Sequence, residues 1–256
     1  MEQAIMKVMA LPDVAPSPAV NAAFSALVAS VVRCQNLPAW CDASLCRDVQ
    51  CRCAASEAAM EVYWARRIIS AKQPRKELAR FWYGAHYQEL VRREVGLLAG
   101  SGKQLTTETR VAMIGSGPLP LTGWYLWQQT AAQLTLIDSN PEATDLAAAL
   151  AQALDWTVAN LTDDGATIAL PLEAYDVIYV AGLAGGDRAV KQRIIDNVLP
   201  ALKSDGRLVV RAATGAKSLL YPALAVDDLR QVRPLVAYHP HDEIINSVYV
   251  YAKEES

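Results

Sequence analysis

The sequence predicts an α/β protein in which an all-α N-terminal domain precedes a largely parallel, doubly wound sheet. Three observations predict this fold class. Helix-type apolar spacing dominates residues 19–98, short apolar runs alternate with helical segments from Arg110 onward, and the last two apolar runs have no long helix between them. Because the stretch 97–107 carries glycine and serine between the two patterns, we expect domains at 1–105 and 106–256.

The composition narrows the function before any motif is considered. The chain has 256 residues, of which 52% are apolar, so a sizeable core can form. A net charge of −3 gives no electrostatic footprint for nucleic acid. No apolar run reaches the roughly 18 residues that span a bilayer, and the N-terminus lacks the pattern of a signal peptide. We therefore expect a cytoplasmic enzyme with no membrane or nucleic-acid partner.

The N-terminal part is expected to begin with an irregular lead-in over residues 1–16. Helices are then predicted by apolar spacing and by flanking prolines at Ala19–Val32, from Asp48 or Ser56 to Ala71, and at Arg75–Leu98. Glu57 and Glu61 lie at i and i+4 and therefore share one helix face. They are interpreted either as solvated charges paired with Arg66 or Arg67, or as part of a site.

The third predicted helix carries an aromatic cluster, Phe81-Trp-Tyr-Gly-Ala-His-Tyr87. So many aromatic side chains exceed what one buried helix face takes. Gly84 adds a helical cost of about 1 kcal/mol relative to alanine. The cluster indicates either a site that includes Tyr83, His86 and Tyr87, or a core that joins the helices to the next domain.

The second half alternates between strands and helices. Apolar runs predict strands at 111–114, 134–137, 156–158, 175–181 and 207–212, with helices at 119–130, 141–154 and 187–202 between them. Such βα repeats predict a parallel sheet covered on both faces. The remaining strands, 232–237 and 245–252, are expected to form an antiparallel hairpin at the sheet edge.

A glycine turn follows the first of these strands. Gly115 and Gly117 allow a sharp turn close to a ligand, and Asp138 follows about 20 residues later, at the end of the next strand. Pro118 and Pro120 remove backbone N–H groups that a pyrophosphate would need. The turn therefore favours a nucleoside ligand without phosphate, such as S-adenosylmethionine, in a Rossmann-like domain. The alternative is a structural βα turn with a helix-capping aspartate.

Ligands of such sheets bind at the carboxyl ends of the strands. This rule gathers the glycine turn, Asp138, the 160–163 loop, Ala181 and Arg211 around one crevice. Thr162 or Asp163 would accept a hydrogen bond from an adenine amino group there, although an ordinary polar turn fits the same residues. Arg211 can bind a carboxylate of either substrate, or pair structurally with Asp205 or Asp227.

Three segments resemble one known family. Ile114-Gly-Ser-Gly-Pro-Leu-Pro-Leu-Thr-Gly123 strongly resembles the glycine loop of nicotianamine synthases and of their bacterial relatives, the opine-metallophore synthases of the staphylopine and pseudopaline type. Residues 80–90 resemble the family's aromatic segment, and residues 211–222 resemble its Arg-x-x-x-Gly…Tyr-x-Pro segment. The resemblance covers roughly residues 57–252 of the chain.

The resemblance implies a Rossmann-like S-adenosylmethionine-dependent transferase that moves the 3-amino-3-carboxypropyl (aminobutyrate) group and releases methylthioadenosine. It assigns catalysis to Tyr87 and to Glu61, with Glu57 as the fallback for the glutamate. Cofactor contacts are then expected from the glycine turn, Asp138, Thr162, Asp163 and Ala181, and substrate contacts from Glu57, Tyr83, His86, Arg211 and Tyr221.

The acceptor is also inferred by resemblance alone. The chain is similar to the bacterial single-transfer members, which implies histidine as acceptor and a separate opine dehydrogenase downstream. The alternatives are nicotianamine synthesis proper, methylation of a small amine with the same cofactor, and a non-catalytic adenosine-ligand sensor or scaffold. The apolar N-terminal helices also allow a homodimer.

No metal ligands are expected. Five cysteines lie between Cys34 and Cys53, but their spacing does not match paired zinc knuckles. Reduced half-buried thiols, a redox or metal role, and a disulfide all stay open. His86, His239 and His241 are interpreted as surface or supporting groups, because the product rather than the enzyme would bind the metal.

Overall fold

The computed structural model describes residues 1–254, and within them one mixed sheet forms the centre of the protein. Its strands are β1 Arg110–Ile114, β2 Gln133–Asp138, β3 Ala159–Thr162, β4 Tyr175–Val180, β5 Leu202–Ala212, β6 Val232–Tyr238 and β7 Ser247–Lys253. They lie in the order β3-β2-β1-β4-β5-β7-β6. The first five strands run parallel, and β7 pairs antiparallel with β5 and with β6. The predicted doubly wound sheet and edge hairpin are confirmed.

Helices cover the sheet and build the N-terminal part. They are α1 Glu2–Met9, α2 Pro18–Val32, α3 Ala43–Ile69, α4 Pro74–Leu78, α5 Gly84–Gly100, α6 Leu121–Thr130, α7 Pro141–Ala153 and α8 Arg188–Val198. Side-chain caps set the starts of α7 and α8. Asn140 accepts the N–H of Glu142 before α7, and Asp187 accepts that of Val190 before α8. These starts agree with the predicted ones.

The N-terminal helices differ from the prediction in three ways. Residues 2–9, expected as a lead-in, form α1. Helix α3, expected to start at Asp48 or Ser56, begins at Ala43 because Asp42 caps it by accepting the N–H of Leu45. The helix expected over 75–98 is two helices, and Gly84 is the first residue of α5 rather than an interruption. A Cβ at Gly84 would lie 3.2 Å from the Tyr125 hydroxyl, so this helix start packs closely on α6.

Several boundaries in the second half were also wrong, among them the start of β5, which lies at Leu202 rather than at residue 207. The third strand lies at Ala159–Thr162, where it pairs with Thr135–Asp138 of β2, and not at 156–158. Trp156 instead packs its ring against Trp124 in the core, with centroids 5.6 Å apart. The helix predicted to reach residue 202 ends at Val198, followed by a 3-10 turn that contains Pro200, and β5 begins at once.

One apolar cluster joins the N-terminal helices to the sheet. It contains buried residues of α3 and α5, such as Trp64 and Leu90, together with Val111 of β1 and Leu136 of β2. The predicted domain boundary near residue 105 stays a prediction, because the two parts share this core. Among residues 1–254, no helix combines the length and the apolar character needed to cross a membrane.

Candidate active site

Two adjoining cavities lie where α3 and α5 meet the carboxyl ends of the strands. The first, here called the sheet cavity, has a volume of about 530 Å³. The glycine turn, Asp138 and Asp163 line it, together with Ala181 and the loop that follows β4. This is the crevice that the sequence predicted at the strand ends.

The second cavity, here called the helix cavity, has a volume of about 180 Å³ and lies between α2, α3, α5 and the loop before β7. Its walls are mostly apolar and aromatic, with a few polar side chains, among them Glu57, Tyr83, His86 and Glu243. Both cavities are lined by the same four residues at their junction: Glu57, Tyr87, Tyr221 and Asn246.

The glycine turn brings the sheet close to α3. Gly115 and Gly117 have φ values of 78° and 70°, in the left-handed region that favours glycine. A Cβ at Gly117 would lie 2.7 Å from Glu61 Oε2. Only a glycine therefore lets the carboxylate of Glu61 approach the turn this closely.

Asp138 holds this turn from the end of β2. One of its carboxylate oxygens accepts the N–H of Gly117 at 2.8 Å, and the other accepts that of Asn140 at 3.0 Å. The side chain also lines the sheet cavity, where a contact with ribose hydroxyls stays a prediction.

Glu61 of α3 and Tyr87 of α5 form the central pair, with the Tyr87 hydroxyl 3.5 Å from Glu61 Oε1. Both side chains face the cavities, yet the surrounding protein desolvates them. This burial raises the pKa of Glu61 well above its usual value, and the nearby carboxylates of Glu57 and Asp138 raise it further. Burial also raises the pKa of Tyr87, so the phenol keeps its proton. The interpretation of the two glutamates as surface charges is wrong, because Arg66 pairs with Glu142 and Arg67 with Glu77.

Glu57 lies one helical turn before Glu61 and accepts a short hydrogen bond of 2.5 Å from the Tyr221 hydroxyl. Burial raises the pKa of Glu57, while the bond from Tyr221 opposes that rise. The two glutamates therefore form a coupled pair in which full ionisation of both is unfavourable.

Arg211 has a structural partner that the sequence analysis did not name. Its Nε and Nη2 donate to the two carboxylate oxygens of Glu94 at 2.7 and 2.8 Å, and its Nη1 donates to the Thr122 hydroxyl at 2.8 Å. The expected pairing with Asp205 or Asp227 is wrong, because β5 directs this side chain to the face that α5 and α6 cover. Arg211 also lines the sheet cavity, so a substrate contact stays a prediction.

Thr162 is the predicted cofactor contact that the structure places elsewhere. Its side chain is exposed, and its hydroxyl lies 2.5 Å from that of Thr144 on α7, outside the sheet cavity. The neighbouring Asp163 does line the cavity, as do Gly115, Gly117, Pro118 and Ala181. On the other side, Tyr83, His86 and Tyr221 line the helix cavity, and His86 Nε2 lies 3.1 Å from Glu243.

Two residues at the site carried no sequence signal. Lys191 is buried under the loop after β4, and its ammonium donates to the carbonyls of Ala181 at 2.8 Å and Gly182 at 3.3 Å. Burial lowers the pKa of Lys191 to about 7. Asn246 lies in the loop before β7, at the junction of the cavities. A lysine in a helix and an asparagine in a loop resemble ordinary surface residues in a sequence.

Of the five cysteines, Cys53 alone lines one of the two cavities. All five are free thiols, and Cys41 Sγ lies 3.4 Å from Cys46 Sγ. Cys53 lines the helix cavity, where burial raises the pKa of its thiol to about 12. Because the thiolate is the reactive form, Cys53 is an inert wall residue at neutral pH.

Together, the fold and the site define the class of protein. A Rossmann-like sheet, a glycine turn, an acidic residue after β2 and a helical N-terminal part are the features of an S-adenosylmethionine-dependent transferase. The structure is similar to that of MtNAS, solved as a glutamate-to-glutamine mutant in complex with S-adenosylmethionine, with a TM-score of 0.83, 19% identity and coverage of 98% of this chain and 96% of that one. MtNAS in complex with MTA and tNA is also similar, with a TM-score of 0.82, 18% identity and coverage of 99% and 97%.

The family follows from the sequence comparisons. The model described as "Nicotianamine synthase protein" matches residues 2–256, and the chain belongs to the nicotianamine synthase family. Nicotianamine synthase 9 of Hordeum vulgare is 32% identical over 254 residues, which cover 95% of this chain and 74% of the relative. Nicotianamine synthase of Solanum lycopersicum is 30% identical over 259 residues, which cover 95% of this chain and 79% of that relative. The protein is therefore an aminobutyrate-transferring enzyme that uses S-adenosylmethionine as donor.

Proposed function

We propose that the donor S-adenosylmethionine binds in the sheet cavity and that an amino-acid acceptor binds in the helix cavity. The aminobutyrate group then passes to the acceptor's amine at the junction, where Glu61 and Tyr87 contact the reacting nitrogen. The observation that carries this proposal is the junction itself. The two cavities share Glu57, Tyr87, Tyr221 and Asn246, and Glu61 lies 3.5 Å from the Tyr87 hydroxyl in the sheet cavity.

The sulfonium of the donor activates three attached carbons, so the position of the acceptor selects the product. An amine that enters from the helix cavity attacks the methylene carbon of the aminobutyrate arm next to sulfur. The N–C bond forms as the C–S bond breaks, and sulfur keeps the electron pair in methylthioadenosine. Placing the two atoms in near-attack geometry can supply about 7–11 kcal/mol of the barrier.

The attacking ammonium must lose a proton first, and Glu61 can accept it. Its raised pKa makes this carboxylate a stronger base than an ordinary glutamate. The protonated Tyr87 hydroxyl, 3.5 Å from the same carboxylate, can orient the nitrogen. The apolar walls of the helix cavity keep competing water out.

This assignment predicts how the rate depends on pH. Because the pKa of Glu61 is raised, its carboxylate stays protonated to a higher pH than usual, and the rate of methylthioadenosine release should rise with pH through that raised value. Glu57→Gln removes one charge that raises the pKa of Glu61, so it should move the midpoint of this rise to lower pH. Initial rates across a pH series test both expectations. An identical acidic limb in Glu61→Gln would contradict the role of Glu61.

For the acceptor, we propose histidine, with the product consumed by an opine dehydrogenase. The likeness of the chain as a whole to the bacterial single-transfer members supports this choice. A helix cavity of about 180 Å³ also suits one amino acid. A second candidate is nicotianamine synthesis, in which aminobutyrate units themselves serve as acceptors. The names of the barley and tomato relatives favour it.

Mass spectrometry of the protein incubated with S-adenosylmethionine, alone and with histidine, separates these candidates. If histidine is the acceptor, we expect methylthioadenosine only in the reaction that contains histidine. If aminobutyrate units serve as acceptors, we expect methylthioadenosine in both reactions. A histidine adduct heavier by one aminobutyrate would establish the single transfer. S-adenosylhomocysteine as the sole nucleoside product would instead mean that the methyl group is transferred, and the proposal would fail.

A further inference from the structure

The loop after β4, residues 181–186, is a wall of the sheet cavity built almost entirely from small residues. All six residues line the cavity, and three of them are glycines. A Cβ built at Gly115 would lie 2.8 Å from Ala184 Cβ, so the loop packs directly on the glycine turn. Because glycine has no side chain and alanine only a methyl group, the loop has few side-chain contacts with which to fix its own conformation.

Lys191 of α8 gives this loop a fixed point. Its side chain is buried, and its ammonium donates to the carbonyls of Ala181 at 2.8 Å and Gly182 at 3.3 Å. Its backbone nitrogen would lie 2.8 Å from a Cβ built at Gly185, so the far end of the loop packs on the same residue. Lys191 lines neither cavity, and it can therefore affect a ligand only through the loop.

The burial of this ammonium requires a compensating role. Its partners are two backbone carbonyls, and within residues 1–254 no carboxylate pairs with it. A buried charge without a counter-charge is unfavourable, and an apolar side chain of the same length would fill the space without that penalty. The lysine differs from such a residue in the hydrogen bonds that hold the two carbonyls in place.

We propose that Lys191 is a positioning residue of the donor site, whose ammonium holds residues 181–186 in the conformation that contacts the nucleoside of S-adenosylmethionine. This inference rests on the proposed function, in which the donor occupies the sheet cavity. The loop and the glycine turn meet at the carboxyl ends of the strands, where ligands of such sheets bind. A loop that is ordered before the ligand arrives loses less conformational entropy on binding, so the donor affinity should depend on the ammonium.

Calorimetric titration with two unreactive thioethers tests the inference. S-adenosylhomocysteine and methylthioadenosine share the nucleoside, and neither has a sulfonium to react. Lys191→Met keeps the length of the side chain and removes the ammonium. Both affinities should fall about 10- to 100-fold, as expected when hydrogen bonds from a charged group are lost. The single-turnover rate of methylthioadenosine release at saturating donor should stay near that of the wild type, because Glu61 and Tyr87 are unchanged.

Lys253→Met provides a matched control. Lys253 Nζ also donates to a backbone carbonyl, that of Leu202 at 2.8 Å, but the residue lines neither cavity. Its replacement should leave both affinities unchanged. Urea titration first shows whether each variant is folded at the assay temperature. If Lys191→Met is not folded, Lys191→Gln, which is one bond shorter and uncharged, takes its place with the same expected loss.

Three results would overturn the inference. They are unchanged affinities in the folded Lys191 variant, an equal loss of affinity in Lys253→Met, and a lower saturated rate with unchanged affinities. A purely structural lysine would lower the free energy of unfolding and leave the affinities of the folded protein intact. Failure of the proposed function would be distinct, since the wild type would then release no methylthioadenosine whatever the variants bind.

Discussion

Glu61→Gln is expected to lower the rate of methylthioadenosine release by about 10²- to 10⁴-fold, the usual contribution of a positioned general base. The amide has the same shape as the carboxylate, so the close approach to Gly117 is preserved. It cannot accept a proton from the attacking ammonium. The rate is measured in a single turnover with excess enzyme, so that product release does not hide the chemical step.

Two controls accompany this variant. Binding of S-adenosylhomocysteine, measured by calorimetry, should stay near that of the wild type and show that the sheet cavity is intact. Glu108→Gln changes an exposed glutamate in the loop before β1 and should leave the rate unaltered. A rate for Glu61→Gln close to that of the wild type, with donor binding intact, would remove Glu61 from the reaction.

Glu94→Leu should produce the largest loss of stability. Glu94 is fully buried in α5, and its carboxylate forms a two-pronged ion pair with Arg211 of β5. Removal of one partner leaves a buried guanidinium without its counter-charge, which typically lowers the free energy of unfolding by about 3–5 kcal/mol. Urea titration followed by circular dichroism measures that change.

The double variant Glu94→Leu with Arg211→Met separates structure from substrate binding. Because apolar residues of similar size often replace a buried ion pair without loss, the second substitution should restore most of the stability. If Arg211 serves structure alone, the restored protein should also recover its KM for the donor. A stable double variant with a strongly raised KM would assign Arg211 to substrate binding as well. A Glu94→Leu protein as stable as the wild type would contradict the importance of the pair.

The features that the sequence predicted correctly are encoded within short segments. The strand, glycine turn and helix around residues 111–130 depend on local apolar runs and on backbone freedom at Gly115 and Gly117. The starts of α7 and α8 depend on the capping side chains of Asn140 and Asp187. The parallel order of the sheet follows from repeated βα units. Errors occurred where packing overrode local pattern, as at Trp156, whose indole fills the core instead of opening a strand.

The sequence by itself therefore determined the fold class, the glycine turn, Asp138 and the helix face shared by Glu57 and Glu61. Only the tertiary structure decided what those groups contact. Residues far apart in the chain, such as Glu94 and Arg211, meet because α5 packs on the sheet, and no local period records that contact. The same packing creates the junction of the two cavities, desolvates Glu61 and places Asn246 at that junction. Burial and charge at a site depend on neighbours from distant segments, so they arise only when the chain is folded.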